Sequence, residues 1–259
     1  MDGLALASLA AAALLYALGL RRVRASGAPF QGSRVAWFYA GIAALLVALG
    51  PPMHGLAEET FLAHMAQHLL LVLVAPPMLA LGAPITLALR ASTPRVRTRV
   101  LVPLLRSPAA RFLSNPIVGW VLLIGVSFGV HVTPIFDQAL RSGVVHGAEH
   151  IVWLTAALIY WWPIVGRDPS PHRISFPVRM LSLFLAMPAM SFLALAIYSA
   201  TVPLAPTYAA LNPSNALADQ QSAAVLMWLF GNVLLTVAIL AVAIAWKHHD
   251  TERSAVSTG

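Results

Sequence analysis

The chain contains no cysteine. That excludes disulfides and thiolate-ligated metal centres, and it is compatible with an oxidising compartment. Charge is also scarce. Only 10% of the 259 residues are Asp, Glu, Lys or Arg, against 59% hydrophobic, with a mean hydropathy of +0.79. No water-soluble domain of this length needs so much apolar surface. A bilayer-spanning helix takes about 20 mostly apolar residues. Seven such runs can be marked, at 3–20, 36–53, 62–89, 116–134, 144–165, 178–201 and 220–246. They use most of the chain and leave no room for a sizeable domain outside the membrane. The expected fold is therefore an all-α membrane protein, one seven-helix transmembrane bundle over residues 1–259.

Basic residues are almost missing from every second connection. Arg21, Arg22, Arg24 and Arg34 flank the first connection, and Arg90, Arg95, Arg97, Arg99, Arg106 and Arg111 the third. Arg167 and Arg173 lie in the fifth, Arg179 opens span 6, and Lys247 and Arg253 follow span 7. Of the 16 Lys and Arg residues, Arg141 alone falls on the other side. The net charge of +7 thus reads as a topology signal rather than a nucleic-acid surface. The positive-inside rule places the N-terminus outside and the C-terminus in the cytoplasm. An odd number of spans is required for that, and seven satisfies it. A cleaved signal peptide is the rival reading of residues 1–28, but signal peptides begin with positive charge. Here Asp2 precedes the apolar run and the arginines follow it. A retained first helix is expected.

Two local features stand out in the spans. Pro76 and Pro77 interrupt span 3, and each removes a backbone hydrogen bond, so a kink or break is expected there. Trp161, Trp162 and Pro163 close span 5, and tryptophan at that depth reads as an interfacial anchor.

Five of the nine histidines fall at the outer ends of three spans. His64 and His68 lie in the first turns of span 3, and His131 lies at the end of span 4. His146 and His150 open span 5 with Glu149 between them. Spacings of three and four residues place each pair on one helix face, with Trp153 next along the second. Asp219, Gln220 and Gln221 open span 7, with Met227 about seven residues deeper. Met187 and Met190 lie mid-span in span 6, and His54 lies in the outer connection. His172, His248 and His249 fall on the cytoplasmic side and read as solvated residues. A single helical histidine is usually a hydrogen-bonded structural residue. Five at one depth are different, because ionisable residues are costly inside a membrane and mark functional sites.

Imidazole is the commonest protein metal ligand, and thioethers suit Cu(I). His64, His68, His131, His146 and His150 are therefore the candidate metal ligands. Glu149, Asp219 and Met227 are candidate supporting or additional ligands. Histidine, methionine and carboxylate without cysteine fit copper, as Cu(I), better than structural zinc, which stays open. Three other readings carry less. His146-Gly-Ala-Glu-His150 matches the H-x-x-E-H pattern of inverted zinc proteases, but five residues with three fixed match easily by chance in a His-rich chain. Haem ligation needs one histidine from each of two helices, whereas here they come in pairs. A transporter needs a polar pathway, and the inner half offers none, although the Pro76–Pro77 interruption could hide a discontinuous helix.

HMAQHLLLVLVAPPMLALGAP at 64–84, HGAEH followed by WWP, and DQQ…LMW at 219–228, in that order, resemble the CtaG-type cytochrome c oxidase assembly proteins of bacteria. The resemblance runs from about residue 35 to 246. It implies a multi-pass protein of the bacterial cytoplasmic (inner) membrane needed for an active haem–copper oxidase. It also implies a role in copper supply to that oxidase, with relatives fused to copper-import domains. The motif positions fall on His64, His68, His146, Glu149, His150 and Asp219. On this reading the protein is an assembly factor rather than an enzyme. Its expected partners are the oxidase's catalytic subunit, a periplasmic copper chaperone and the lipid bilayer, with a haem-binding or haem-modifying role as the alternative.

The arginine asymmetry has a direct test. Alkaline phosphatase fused at the second, fourth or sixth connection is expected to be active. Activity from a fusion at the third connection would reverse the placement of every histidine.

Overall fold

The computed structural model describes residues 3–257, whose regular structure is all helical, with no strand among them. The first two spans are α1 (Gly3–Ala25) and α2 (Gly32–Leu49), and a short helix α3 (Met53–Glu59) follows. Span 3 is built in pieces: α4 (Phe61–Leu69), a π-helical stretch Leu70–Val74, α5 (Ala75–Leu81) and α6 (Pro84–Ala91). The arginine-rich connection folds into the short helices α7 (Pro94–Val96), α8 (Val102–Leu105) and α9 (Pro108–Leu113). Then come α10 (Pro116–His131) and α11 (Ile135–Arg141), bent from each other by 69°. The remaining helices are α12 (Gly143–Val165), α13 (Phe176–Ser199), α14 (Pro206–Leu211) and α15 (Ala216–Ser257).

Six helices are long and apolar enough to cross a bilayer, and seven if the bent α10–α11 pair counts as one span. The seven-helix expectation thus holds with span 4 as its weakest member, because α10 has only 16 residues. α15 runs well past the expected end at residue 246. Its 42 residues make a rod of roughly 63 Å, about twice the bilayer core. The segment holding His248 and His249 is therefore helix rather than loose tail.

Burial identifies the centre of the bundle. In the most apolar stretch of the broken span Phe61–Ala91 and of α12, 44% of the residues are buried, against 17% in α1 and α15. Around this pair, α15 packs on α4 and α13, α2 on α5, and α10 on α12 and α13. The periphery carries exposed Leu15, Ile117, Phe192, Leu229 and Val237. Such a belt is a liability in water and is what a lipid-facing surface requires. Gly119 lets α10 approach closely, since a Cβ there would lie 3.0 Å from Tyr160 Cα of α12.

The central span breaks later than its prolines suggest. Pro76 cannot donate to the carbonyl of Val72. The helix adapts by widening into the π stretch just before, where Ala75 N–H reaches Leu70 O. Trp161 of α12 supplies the missing donor, its Nε1 lying 2.9 Å from Val72 O. The interfacial-anchor reading of Trp161 is thereby corrected. The residue is 3% exposed and serves as an internal strut, because an unmet carbonyl in the bilayer core costs several kcal/mol. Trp162 beside it is only partly buried.

The chain turns instead at Gly82 and Ala83, where Ala83 adopts left-handed φ 51°. Several groups freed by that turn are met by side chains from elsewhere. Tyr16 of α1 donates to Gly82 O at 2.9 Å. Asp168, from the connection after α12, accepts from Ile85 N at 3.0 Å, Thr86 N at 2.7 Å and Thr86 Oγ1 at 2.6 Å. Burial pushes the Asp168 carboxyl above its ordinary value, and the Thr86 and Ile85 hydrogen bonds oppose that shift.

Trp161→Phe keeps the ring bulk but leaves Val72 O unmet, so a loss of about 1–3 kcal/mol is expected. Thermal unfolding of the purified protein in detergent measures it. An equal loss from Trp162→Phe would contradict the strut assignment.

Candidate functional site

The site is assembled from the start of α4. Thr60 caps this helix by accepting from Ala63 N at 3.3 Å. Asp219 of α15 caps it again from the side, accepting from Phe61 N at 2.7 Å and Leu62 N at 3.2 Å. A carboxylate at a helix N-terminus satisfies orphan N–H groups and complements the helix dipole. Both oxygens of Asp219 are thus used on the backbone, and the residue acts on the site by fixing α4. Gln67 of α4 donates to Ala48 O of α2 at 2.8 Å. Gln220 ties the connection after α13 in place, accepting from Leu204 N at 2.7 Å and donating to Ile197 O at 3.0 Å.

With α4 fixed, His64 and His68 face α12 and α10. His64 is fully buried, and His68, His131, His146 and Glu149 are 3–5% exposed, while His150 is half-buried. All five expected histidines meet in one cluster. The ring centroids are 4.3 Å apart for His64–His68, 5.3 Å for His64–His146 and 4.3 Å for His146–His150. They are 5.8 Å apart for His68–His150 and 6.2 Å for His68–His131. Glu149 lies inside the group, with Oε1 3.6 Å from His68 Nε2 and accepting from Trp153 Nε1 at 3.4 Å. Phe136 of α11 closes the cluster, edge-on to His64 at 5.1 Å and stacked on His131 at 5.6 Å.

Hydrogen-bond directions fix which nitrogens carry protons. Tyr208 of α14 donates to Ala57 O at 2.5 Å. Burial, with the negative charges of Asp219, Glu149 and Glu58, pushes its phenol well above the ordinary value, so the hydroxyl keeps its proton. The contact of 3.2 Å between Tyr208 and His64 Nδ1 is therefore donated by the imidazole, leaving His64 Nε2 as a lone pair. That lone pair lies 3.0 Å from His68 Nε2, so His68 donates there and its Nδ1 is bare. His131 Nδ1 donates to Ser127 O at 2.9 Å, which leaves its Nε2 bare. His68 Nδ1, His131 Nε2, His150 Nε2 and Glu149 Oε2 are all buried without a hydrogen-bond partner. Ligand atoms of His64, His146 and Glu149 lie within 4.8 Å of one another. Tetrahedral coordination with bonds near 2.0–2.1 Å spaces donors at roughly 3.4 Å, so modest side-chain rotation suffices to close such a group on an ion.

Sequence reasoning left three contributors unassigned. His54 stacks on His146 at 5.8 Å and pairs with Glu58 at 3.6 Å, extending the imidazole row to a side chain that is 25% exposed. Tyr208 gave no signal, because its role depends on a fold-back of the connection after α13. Met65 stands between His64 and His68 in sequence and turns toward Met190 and Met227 around a small cavity. Met227 thus shares a cavity with His68 and His131 rather than joining His64, His146 and Glu149. His172 pairs with Ser114 at 3.1 Å, and His249 lies near Phe176 and Asp250. Neither joins the site.

The cytochrome c oxidase caa3 assembly factor family matches residues 14–249. The chain belongs to that family. Among curated proteins it is similar to uncharacterized proteins of Mycobacterium bovis and Mycobacterium tuberculosis, each 31% identical over 248 residues. It is also similar to one of Mycobacterium leprae, 30% identical over 246 residues. These alignments cover 92%, 92% and 91% of this chain but only 38%, 38% and 37% of the relatives. The chain therefore spans less than two-fifths of their length. No solved structure matches it. The match to an oxidase-assembly family agrees with the resemblance carried by the 64–84, HGAEH and DQQ segments, and the apolar helices make the protein a multi-pass membrane protein.

Tyr208→Phe removes the anchor of His64 and strands Ala57 O. A stability loss of about 1–3 kcal/mol is expected, readable as a lowered thermal midpoint in detergent. An unchanged midpoint would mean that α14 does not hold α3 and α4 together.

Proposed function

We propose that this oxidase assembly factor binds copper in the imidazole–carboxylate cluster and supports copper loading of the cytochrome c oxidase catalytic subunit. One observation carries the reading: ligand atoms of His64, His146 and Glu149 lie within 4.8 Å of one another, in a cluster where Glu149 Oε2 and His150 Nε2 are buried without a hydrogen-bond partner. Leaving each unmet costs about 1–3 kcal/mol, and a cation satisfies several at once. His64 Nε2, His146 and Glu149 would form the core of the site. His68, His131 and His150 lie within reach as further ligands, and Tyr208 and Asp219 hold α4 in position. Orienting partners of this kind are typically worth 10–100-fold in metal affinity. The donor set, nitrogen-rich with thioethers below and no thiolate, suits copper, though zinc can use the upper donors. The tight ring-to-ring packing favours an ion over a porphyrin, which needs a broad flat slot between its axial ligands. Placing Glu149 within the donor group also weakens the protease reading, in which that carboxylate acts as base on a bound water.

The positive-inside rule puts this cluster on the periplasmic face of a bacterial inner membrane. Copper would arrive from a periplasmic chaperone at half-buried His54 and exposed Glu58. The stacked row His54, His146, His64 then leads inward by ligand exchange. No bond in a substrate is made or broken, so the role is binding and delivery rather than catalysis.

His68→Ala and His150→Ala are expected to abolish copper retention and oxidase maturation while the protein still inserts. His172→Ala and His248→Ala, far from the cluster, should be silent. Bound copper and oxidase activity in membranes at matched expression measure both. Full copper and full activity in the first pair would make the histidines structural and end the copper reading.

A further inference from the structure

Beneath the imidazole–carboxylate cluster lies a cavity of about 30 Å³ whose wall includes Met65, Met190, Met227, His68, His131 and Trp153. The three methionines come from α4, α13 and α15 and are 2%, 7% and 5% exposed. We propose that this chamber is a second, thioether-lined Cu(I) site, formed by Met65, Met190 and Met227 with His131. It is distinct from the His64–His146–Glu149 site above and rests on the copper reading.

Methionine is ordinary packing filler, flexible enough to close irregular gaps. Here three of them surround a gap that stays open, although a void the size of a methyl group already costs about 1 kcal/mol. The space could hold one water, but a buried water needs two to four polar partners, and the chamber offers only the lower limit, two imidazole acceptors. The chamber's hydroxyl is already committed, since Ser127 Oγ donates to Leu123 O at 2.7 Å. His131 has spent Nδ1 on Ser127 O, and its Nε2 is buried without a partner, as is Nδ1 of His68. Soft thioethers with one or two neutral imidazole nitrogens are the donor set that selects Cu(I) over harder divalent ions. Such a site brings no anionic ligand into the membrane, and the carboxylate of Glu149, beside His68 and Trp153, offsets the monovalent charge.

His68 belongs to both chambers. Its Nε2 meets His64 and Glu149 above, and its ring walls the methionine chamber below. An ion can thus pass between the sites by exchange around one side chain. Cu(I) arriving in the upper, nitrogen- and oxygen-rich site would pass to the lower one and be retained there with no change of oxidation state.

The test uses the full-length protein purified in detergent, loaded anaerobically with Cu(I) and examined by copper K-edge X-ray absorption. The wild type is expected to show sulfur as well as nitrogen scatterers. Combining Met65→Leu, Met190→Leu and Met227→Leu keeps volume nearly constant; it should remove the sulfur signal and about one bound Cu(I) per chain, leaving Zn(II) binding unchanged. His64→Ala with His146→Ala should do the reverse, losing Zn(II) and leaving copper in a sulfur-dominated shell. Should the triple variant fail to fold, Met190→Leu alone is expected to lower the sulfur count. Copper bound by nitrogen and oxygen alone in the wild type would overturn the second site and leave the upper one standing. So would unchanged sulfur and Cu(I) in the methionine variants. A wild type that retains no copper would overturn both.

Discussion

The histidine end of this protein depends on how one helix begins. α4 opens the broken span, which with α12 is the most buried of the bundle, and its first amides are held by Asp219 from α15, 157 and 158 residues away. Without that carboxylate the α4 terminus would expose unpaired N–H groups near the bilayer, where each costs several kcal/mol. With it, the direction of α4 is set, and His64 and His68 point at α12 rather than at lipid. Asp168 does the same for α6 at the other end of the broken span, and Trp161 serves the carbonyl that Pro76 leaves free. The span can be irregular because its neighbours, not water, complete its hydrogen bonds.

That irregularity is what a site at this depth needs. A straight helix satisfies its own backbone and offers only side chains at fixed spacing. Here the π stretch lies between α4, whose histidines face α10 and α12, and α5, which packs on α2, while the turn at Ala83 redirects α6. π-helical segments are rare and often accompany functional sites. α3, α11 and α14 cover the cluster. They are tied together by Tyr208 to Ala57 and by Asp137, which accepts from Thr207 N at 2.8 Å and pairs with Arg141 at 2.6 Å. Cover and cluster share residues: Phe136 and Tyr208 pack on His64 from α11 and α14.

Much of this was legible in the sequence, and the unreadable part follows a pattern. Apolar runs gave the spans, and histidine spacing on three of them gave a common depth; both depend on helical period and span length, which are local properties. Partners at long range were not legible. Nothing in the apolar stretch ending in Trp161–Trp162–Pro163 tells an interfacial ring from one donating to Val72. The prolines signalled a defect in span 3 but not its form, since the helix absorbed the lost donor by widening and broke instead at Gly82–Ala83. Tyr208 and His54 lie in connections, where position says little about contacts. Met227 was placed at the right depth on α15, but its grouping with Met65 and Met190 depends on the packing of three separate helices.

Copper is the proposed occupant of the imidazole–carboxylate cluster around His64, His146 and Glu149. The most direct test is elemental analysis of the full-length protein purified after growth with added copper. Copper bound in stoichiometric amount, with little zinc or iron, is the result the account predicts. Stoichiometric zinc or iron without copper, or no metal at all, would contradict it.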